Sequence, residues 1–165
     1  MNEAQRLVDL IPRLRRYARA LVSDRASADD LVQDTLERAW AKLHLYRRGT
    51  DLRAWLFTVM HNVHVNKVRS ARATDPLEDE MPELAQRAAQ GDSLVVRDLD
   101  RAIARLPDEQ RAVLLLVTLE EMSYDQVART LGIPIGTVMS RLSRAREKLR
   151  AMMLGQAAAK LKVVK

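Results

Sequence analysis

The sequence predicts an all-α protein of two small helical domains joined by an acidic flexible linker, the C-terminal one built around a helix-turn-helix. Three observations lead there. Apolar residues recur at helical spacing along most of the chain. Aromatic residues make up only 4% and there are five glycines, which disfavours strands. From Asp75 to Asp92 the helical period lapses: Asp75, Glu78, Asp79, Glu80, Glu83 and Asp92 oppose Arg87 alone, and Pro76, Pro82 and Gly91 punctuate the stretch. The expected division is 1–74 for the first domain, 75–92 for the linker (with room for a short helix near 82–89), 93–152 for the second domain and 153–165 for a tail.

The elements follow in order. Leu7, Leu10, Leu14, Tyr17, Ala18 and Leu21 form the stripe of a first helix, which Pro12 either kinks or splits. Ser27, with Asp30 three positions later, has the form of a capping box opening the second helix. Its stripe runs through Leu31, Val32, Thr35, Leu36, Ala39 and Leu43. Tyr46 to Thr50 is a loop, and Thr50 or Asp51 caps a long helix to about Arg72 with core residues Leu52, Trp55, Leu56, Val59 and Val63. Beyond the linker come a helix from about Leu94 to Arg105 and another from Pro107 to Glu120.

The most informative stretch is Gly132 to Arg150, GIPIGTVMSRLSRAREKLR, preceded by the short amphipathic segment Ser123 to Leu131. Ser123 suits an N-cap, Val127, Ala128 and Leu131 share one face, and Gly132 can end a helix at positive φ. Pro134 fits the first turn of the next helix, where its missing N–H costs nothing. Val138, Leu142, Ala145 and Leu149 then make a buried stripe, leaving Ser140, Arg141, Ser143, Arg144, Lys148 and Arg150 outside. The arginines by themselves fit a solvated basic face as well as a DNA-reading one. The paired short helix and the Gly-Ile-Pro turn favour a helix-turn-helix whose second helix enters the major groove.

Composition bounds the alternatives. In 165 residues with 47% hydrophobic content there is material for two small cores, and a formal net charge of +6 suits a polyanionic partner. With no cysteine there is neither a disulfide nor a thiolate zinc site. No signal-peptide pattern opens the sequence and no apolar run is long enough to span a bilayer, so a cytoplasmic location without membrane insertion is expected. His61 and His64 lie one helical turn apart, yet their neighbours are basic and nothing completes a metal set; a phosphate-facing or solvated pair is expected. Neither a phosphate loop, nor a nucleophile elbow, nor a carboxylate dyad is found, so no catalytic residue, metal or cofactor is expected.

Two sets of motifs resemble one family. Asp30-Leu31-Val32-Gln33-Asp34-Thr35-Leu36-Glu37-Arg38-Ala39-Trp40 looks like the second region of bacterial sigma factors, and Leu52 to Val59 with Asn62 looks like the adjoining promoter-melting region. Leu106-Pro107-Asp108-Glu109-Gln110-Arg111 and Gly132 to Arg150 look like the fourth region. With no third-region domain between them, the chain resembles the extracytoplasmic-function group (group IV) of the sigma-70 family.

The resemblance implies a transcription initiation factor. Its second region would dock on the β′ clamp helices of RNA polymerase core through Asp30, Gln33, Asp34, Glu37 and Arg38, and its fourth region would meet the β flap. Unstacked bases of the minus-ten element would be held by Tyr46, Arg47, Arg48, Asn62, Asn66, Lys67 and Arg69, although an aspartate is commoner in the family at the position of Asn66. The minus-thirty-five element would be read by Met139, Ser140, Arg141, Ser143, Arg144, Arg146 and Lys148; Met139 replaces a frequent basic residue and Ile135 a frequent acid. An anti-sigma factor is the expected restraint, and the factor would join the nucleoid when active. A stand-alone helix-turn-helix regulator and a sigma-like decoy for an anti-sigma factor are the competing classes. A regulator has no use for a polymerase-docking first lobe, and a decoy would not start transcripts. An acidic linker between two basic lobes also admits a closed form, and the sequence leaves open against closed undecided.

Overall fold

The computed structural model describes residues 2–74 and 94–163; the acidic linker and the short helix expected within it lie outside them. Among the described residues the chain forms seven α-helices and one 3₁₀ turn, without strands. The first lobe contains α1 (Glu3–Leu21), α2 (Arg25–Lys42), a 3₁₀ turn (Leu43–Leu45) and α3 (Leu52–Thr74). The second contains α4 (Leu94–Arg105), α5 (Asp108–Thr118), α6 (Tyr124–Leu131) and α7 (Ile135–Val163).

Local chemistry accounts for most boundaries. Asn2 caps α1 by accepting from the Gln5 N–H. Pro12 does not split the helix: α1 continues to Leu21, with Pro12 on the exposed face where the carbonyl left without its partner can meet water. The cap of α2 is Asp24 rather than Ser27. Its carboxylate accepts from both the N–H and the hydroxyl of Ser27, which starts the helix three residues earlier than the Ser27–Asp30 spacing predicts. Asp51 accepts from the Ala54 N–H at the head of α3. Between α6 and α7, Ser123 and Gln126 exchange bonds in a capping box, Gly132 turns at φ 65°, and Thr137 and Val138 begin α7 by donating to the Pro134 carbonyl. The last helix runs past the expected domain boundary: the expected tail continues α7 to Val163.

The two lobes are not held apart. Helices α1, α2 and α3 pack on one another, as do α5, α6 and α7, but α3 also packs on α6, and α1 on both α4 and α5. Hence α3 buries Leu52, Leu56, Phe57, Val59, Met60, Val63 and His64, more than one stripe of a helix, because it has neighbours on two sides. Helix α5 likewise buries five successive residues, Ala112 to Leu116. Tyr17 of α1 meets Phe57 of α3 edge to face at 5.1 Å.

The turn before α7 can be tested by two glycines. A Cβ at either would meet nothing within 4 Å, but only Gly132 holds a positive φ. Gly132→Ala is expected to cost about 1–2 kcal/mol from backbone strain alone. Gly136→Ala, inside α7, should instead gain about 0.5–1 kcal/mol. Urea midpoints moving the same way for both would contradict this account.

Candidate nucleic-acid interface

The helix-turn-helix presents its outer face as expected. Val138, Leu142 and Ala145 of α7 are buried and Leu149 is half-buried, which turns Met139, Ser140, Ser143, Arg144, Arg146 and Lys148 outward. Arg141 is the exception: its side chain is only 25% exposed and lies 3.5 Å from the Glu109 carboxylate. Ser140 donates to the Gly136 carbonyl one turn back. The face is therefore a row of exposed hydroxyls and guanidinium groups on a rigid rod, the form that direct base readout uses.

In the first lobe the expected docking and minus-ten residues are partly brought together. Gln33, Glu37 and Arg38 are exposed on α2, and Gln33 donates to Glu37. Asp34 is not free: it and Asp30 share the ammonium of Lys67 from α3, which raises the lysine pKa through both bonds. A residue expected to hold DNA thus neutralises two expected to hold polymerase. Asn62, Asn66 and Arg69 lie exposed along α3, while Arg47 and Arg48 lie on the loop before it, Arg48 paired with Glu3. Tyr46 is buried; its hydroxyl donates to the Thr50 carbonyl and its ring tilts against Trp55 at 5.5 Å. It shapes this loop from beneath and offers no free face for a base.

Between the lobes runs a polar seam. His64 is neither solvated nor turned toward phosphate; it is 5% exposed, and its Nε2 lies 2.8 Å from Asp108 Oδ1, because the second lobe covers that side of α3. Burial raises the Asp108 pKa, but the His64 bond and the charges of His64, Arg111 and His61 outweigh it and hold the carboxyl below its usual range. Arg111 donates to the carbonyls of Ile103, Ala104 and Leu106 at the end of α4 and to Leu21 at the end of α1. Glu120, 1% exposed, lies 3.5–3.6 Å from the guanidinium groups of Arg13, Arg16 and Arg53. Burial pushes its carboxyl up, and the three arginines offset only part of that.

The comparisons with known proteins meet this geometry along both lobes. The family model for the Sigma2 domain of PhyR matches residues 7–61, and that for Sigma-70, region 4, matches residues 97–149. The ECF RNA polymerase sigma factor EcfG of Rhodopseudomonas palustris (strain TIE-1) is 36% identical over 145 residues, 87% of this chain and 80% of that protein. The chain belongs to the ECF RNA polymerase sigma factors. Among solved structures, the sigma factor RpoE in complex with the anti-sigma factor NepR from Bartonella quintana superposes with a TM-score of 0.81 at 36% identity, covering 91% of this chain and 95% of that one. The PhyRSL–NepR complex from Sphingomonas sp. Fr1 gives 0.66 at 26% identity, covering 92% and 88%.

For this sigma factor the seam residues Arg13, Arg16, Arg53, Asp108, Arg111 and Glu120 were not singled out by sequence reasoning as a group. The signal available was slight: a cation directly before the apolar run of α5 and an acid directly after it. Among the described residues no group of three or more potential ligands gathers to hold a metal, and no helix is long and apolar enough to cross a membrane.

The seam makes stability depend on pH through His61. Its pKa is lowered by burial first, then by His64 and Arg141, with Asp108 opposing. The folded state therefore binds the proton less well than the unfolded one. The stability this contributes is complete above the usual histidine value of 6.5 and is lost as pH falls below it through the lowered folded-state value. Glu120, with a raised pKa, acts in the opposite sense, contributing below the usual carboxylate range and fading as pH rises. The difference between wild-type and His61→Gln melting temperatures should therefore change between pH 7 and pH 5.5. A constant offset across that range would contradict the buried-imidazole account.

Proposed function

We propose that this ECF sigma factor, of group IV, binds RNA polymerase core and directs it to specific promoters. In this reading α2 docks on the β′ clamp helices through Asp30, Gln33, Asp34, Glu37 and Arg38, and the second lobe meets the β flap. The loop of Arg47 and Arg48, with Asn62, Asn66, Lys67 and Arg69 of α3, holds the minus-ten strand, and Tyr46 fixes the loop. Helix α7 reads the minus-thirty-five element, with Ser140, Ser143 and Arg144 toward bases and Arg146 and Lys148 toward phosphates, which Arg141 joins on leaving Glu109. The protein works in the cytoplasm and at the nucleoid, catalyses nothing itself, and is restrained by an anti-sigma factor. The observation that carries this reading is the presence, in order on one chain, of a sigma region 2 lobe and a region 4 helix-turn-helix, each exposing its polar face.

One observation favours a second reading, a sigma-like decoy for an anti-sigma factor: the first lobe matches the Sigma2 domain of PhyR. Transcription by the purified chain with core polymerase separates the two, since a decoy starts no transcripts.

Two substitutions test the division of labour. Arg144→Ala should lower promoter-specific transcription about 5- to 150-fold, as an arginine on a guanine edge carries about 1–3 kcal/mol of discrimination, with affinity for core unchanged. Asp34→Lys should abolish competition for core polymerase. The fold should barely weaken, since exposed ion pairs contribute only about 0–1 kcal/mol. Equal loss of core binding and transcription in the Arg144 variant, or normal core binding in the Asp34 variant, would overturn these roles.

A further inference from the structure

The exposed face of α7 changes character along its length. Arg144, Arg146 and Lys148 make it basic in the middle of the helix. At its head it is apolar instead: Ile135 is 48% exposed and Met139 52%. These two stand four residues apart, hence on one side of the helix and about 6 Å apart along its axis. The other groups beside them are small or already engaged. Gly136 is exposed, and a Cβ there would meet nothing within 4 Å, so the surface next to the pair is open. Ser140 donates its hydroxyl to the Gly136 carbonyl, and Arg141 is drawn to Glu109. The first exposed cation of α7 is therefore Arg144. The backbone under the pair is fixed by the Gly132 turn at φ 65°, by the bonds of Thr137 and Val138 to the Pro134 carbonyl, and by fully buried Val138.

A lone exposed apolar side chain is ordinary. Two at this place are not, because the head of the second helix is the end that a helix-turn-helix directs at base edges. The major-groove edges of the four bases are lined with donors and acceptors, and the one apolar group among them is the thymine 5-methyl. A hydrocarbon side chain pressed on any other edge strips water from a polar group and returns no hydrogen bond, so it penalises the wrong base as well as rewarding the right one. The spacing also fits, since the pair spans about two base-pair steps at about 3.4 Å each. Ile135 is stiff at χ1 and sets a fixed point of contact, while Met139 can adjust its longer chain to the neighbouring position.

We propose that Ile135 and Met139 form an apolar reader of thymine methyl groups, so that the element this factor selects carries thymines, on either strand, within about two base-pair steps of each other where the head of α7 enters the groove. This rests on the promoter-reading function proposed above and adds to it the identity of the bases read at that point. The test removes a methyl and nothing else. Holoenzyme of the full-length chain with core polymerase selects from promoters randomised across the minus-thirty-five region. Each thymine of the selected element, on both strands, is then replaced singly by deoxyuridine.

The expected result is one or two positions at which deoxyuridine lowers promoter affinity about fourfold, the effect of one methyl taken out of an apolar contact. Ile135→Ala and Met139→Gln should each lose that sensitivity at its own position, and Met139→Leu, still apolar, should keep it. Met139→Gln should also turn the selection at its position toward adenine, whose N6 and N7 a glutamine amide meets. Both sites are exposed and all three replacements are good helix formers, with circular dichroism as the check on folding. The wild-type scan needs no variant. A selected element indifferent to every deoxyuridine would overturn the reading while leaving promoter recognition intact, as would a methyl effect of equal size in wild type and in both polar and truncated variants. A flat scan with core affinity lost in Met139→Gln would assign the patch to a protein surface and overturn it likewise. A wild-type holoenzyme that selects no minus-thirty-five sequence would instead overturn the promoter-reading function, and this inference with it.

Discussion

Arg111 carries its charge into the place where three helices end or begin. Its guanidinium group and Nε meet four backbone carbonyls, three closing α4 and one closing α1. Helix C-termini leave carbonyls without intrahelical partners and concentrate partial negative charge, so one buried cation there satisfies two helices together. Because α1 belongs to the first lobe and α4 to the second, the same side chain that ends the helices also fixes the lobes against each other. Asp108 lies 3.9 Å away and extends the network to His64, so α1, α3, α4 and α5 share one polar centre. Removing the cation would leave several carbonyls desolvated and unpaired, a larger penalty than the loss of any single surface bond.

Around that centre the molecule divides rigid from adjustable parts. Helix α7 is anchored by buried Val138, Leu142 and Ala145 and by the capped turn from α6, so its outer residues hold fixed spacing along one exposed face. The lobe contact is of another kind. It joins buried apolar residues of both lobes in one core to arginines, a histidine and carboxylates whose pairing is offset by the cost of burying charge. Tyr17, deep in this region, has its phenol pushed far up by burial and by the nearby Asp108 and Glu120 charges, so it remains neutral and serves as packing. The charged part of the seam sets the geometry of the contact, while the shared apolar core supplies its burial.

The two working surfaces proposed for the first lobe are also linked electrostatically. Lys67 is shared by Asp30 and Asp34, so a charge brought to α2 is felt on α3 across one ion pair. Any cationic partner surface that engages the two carboxylates competes with the lysine for them and frees an ammonium on α3, the helix that also carries Asn66 and Arg69. The pair is partly exposed, which keeps this exchange low in cost.

The sequence by itself determined the features that local physics controls. Helical periodicity gave α1 through α7 and the absence of strands among the described residues; Ser123 with Gln126, Gly132 and Pro134 gave the helix-turn-helix, because caps and a positive φ act within a few residues. The outward face of α7 followed from the spacing of Val138, Leu142 and Ala145. Local signals also misled where two residues compete for one role, as at Ser27, where Asp24 takes the cap. What only the tertiary structure decided was the pairing of distant groups: His64 with Asp108, Arg16 with the Leu119 carbonyl, Lys67 with Asp30, and the burial of Tyr46. These partners are 44 and 103 residues apart for His64–Asp108 and Arg16–Leu119, and no periodicity encodes which charge of one lobe will face which charge of the other. Charged residues read as surface along a sequence become interior when two helical lobes close on them, because it is the neighbour, and not the residue, that removes the water.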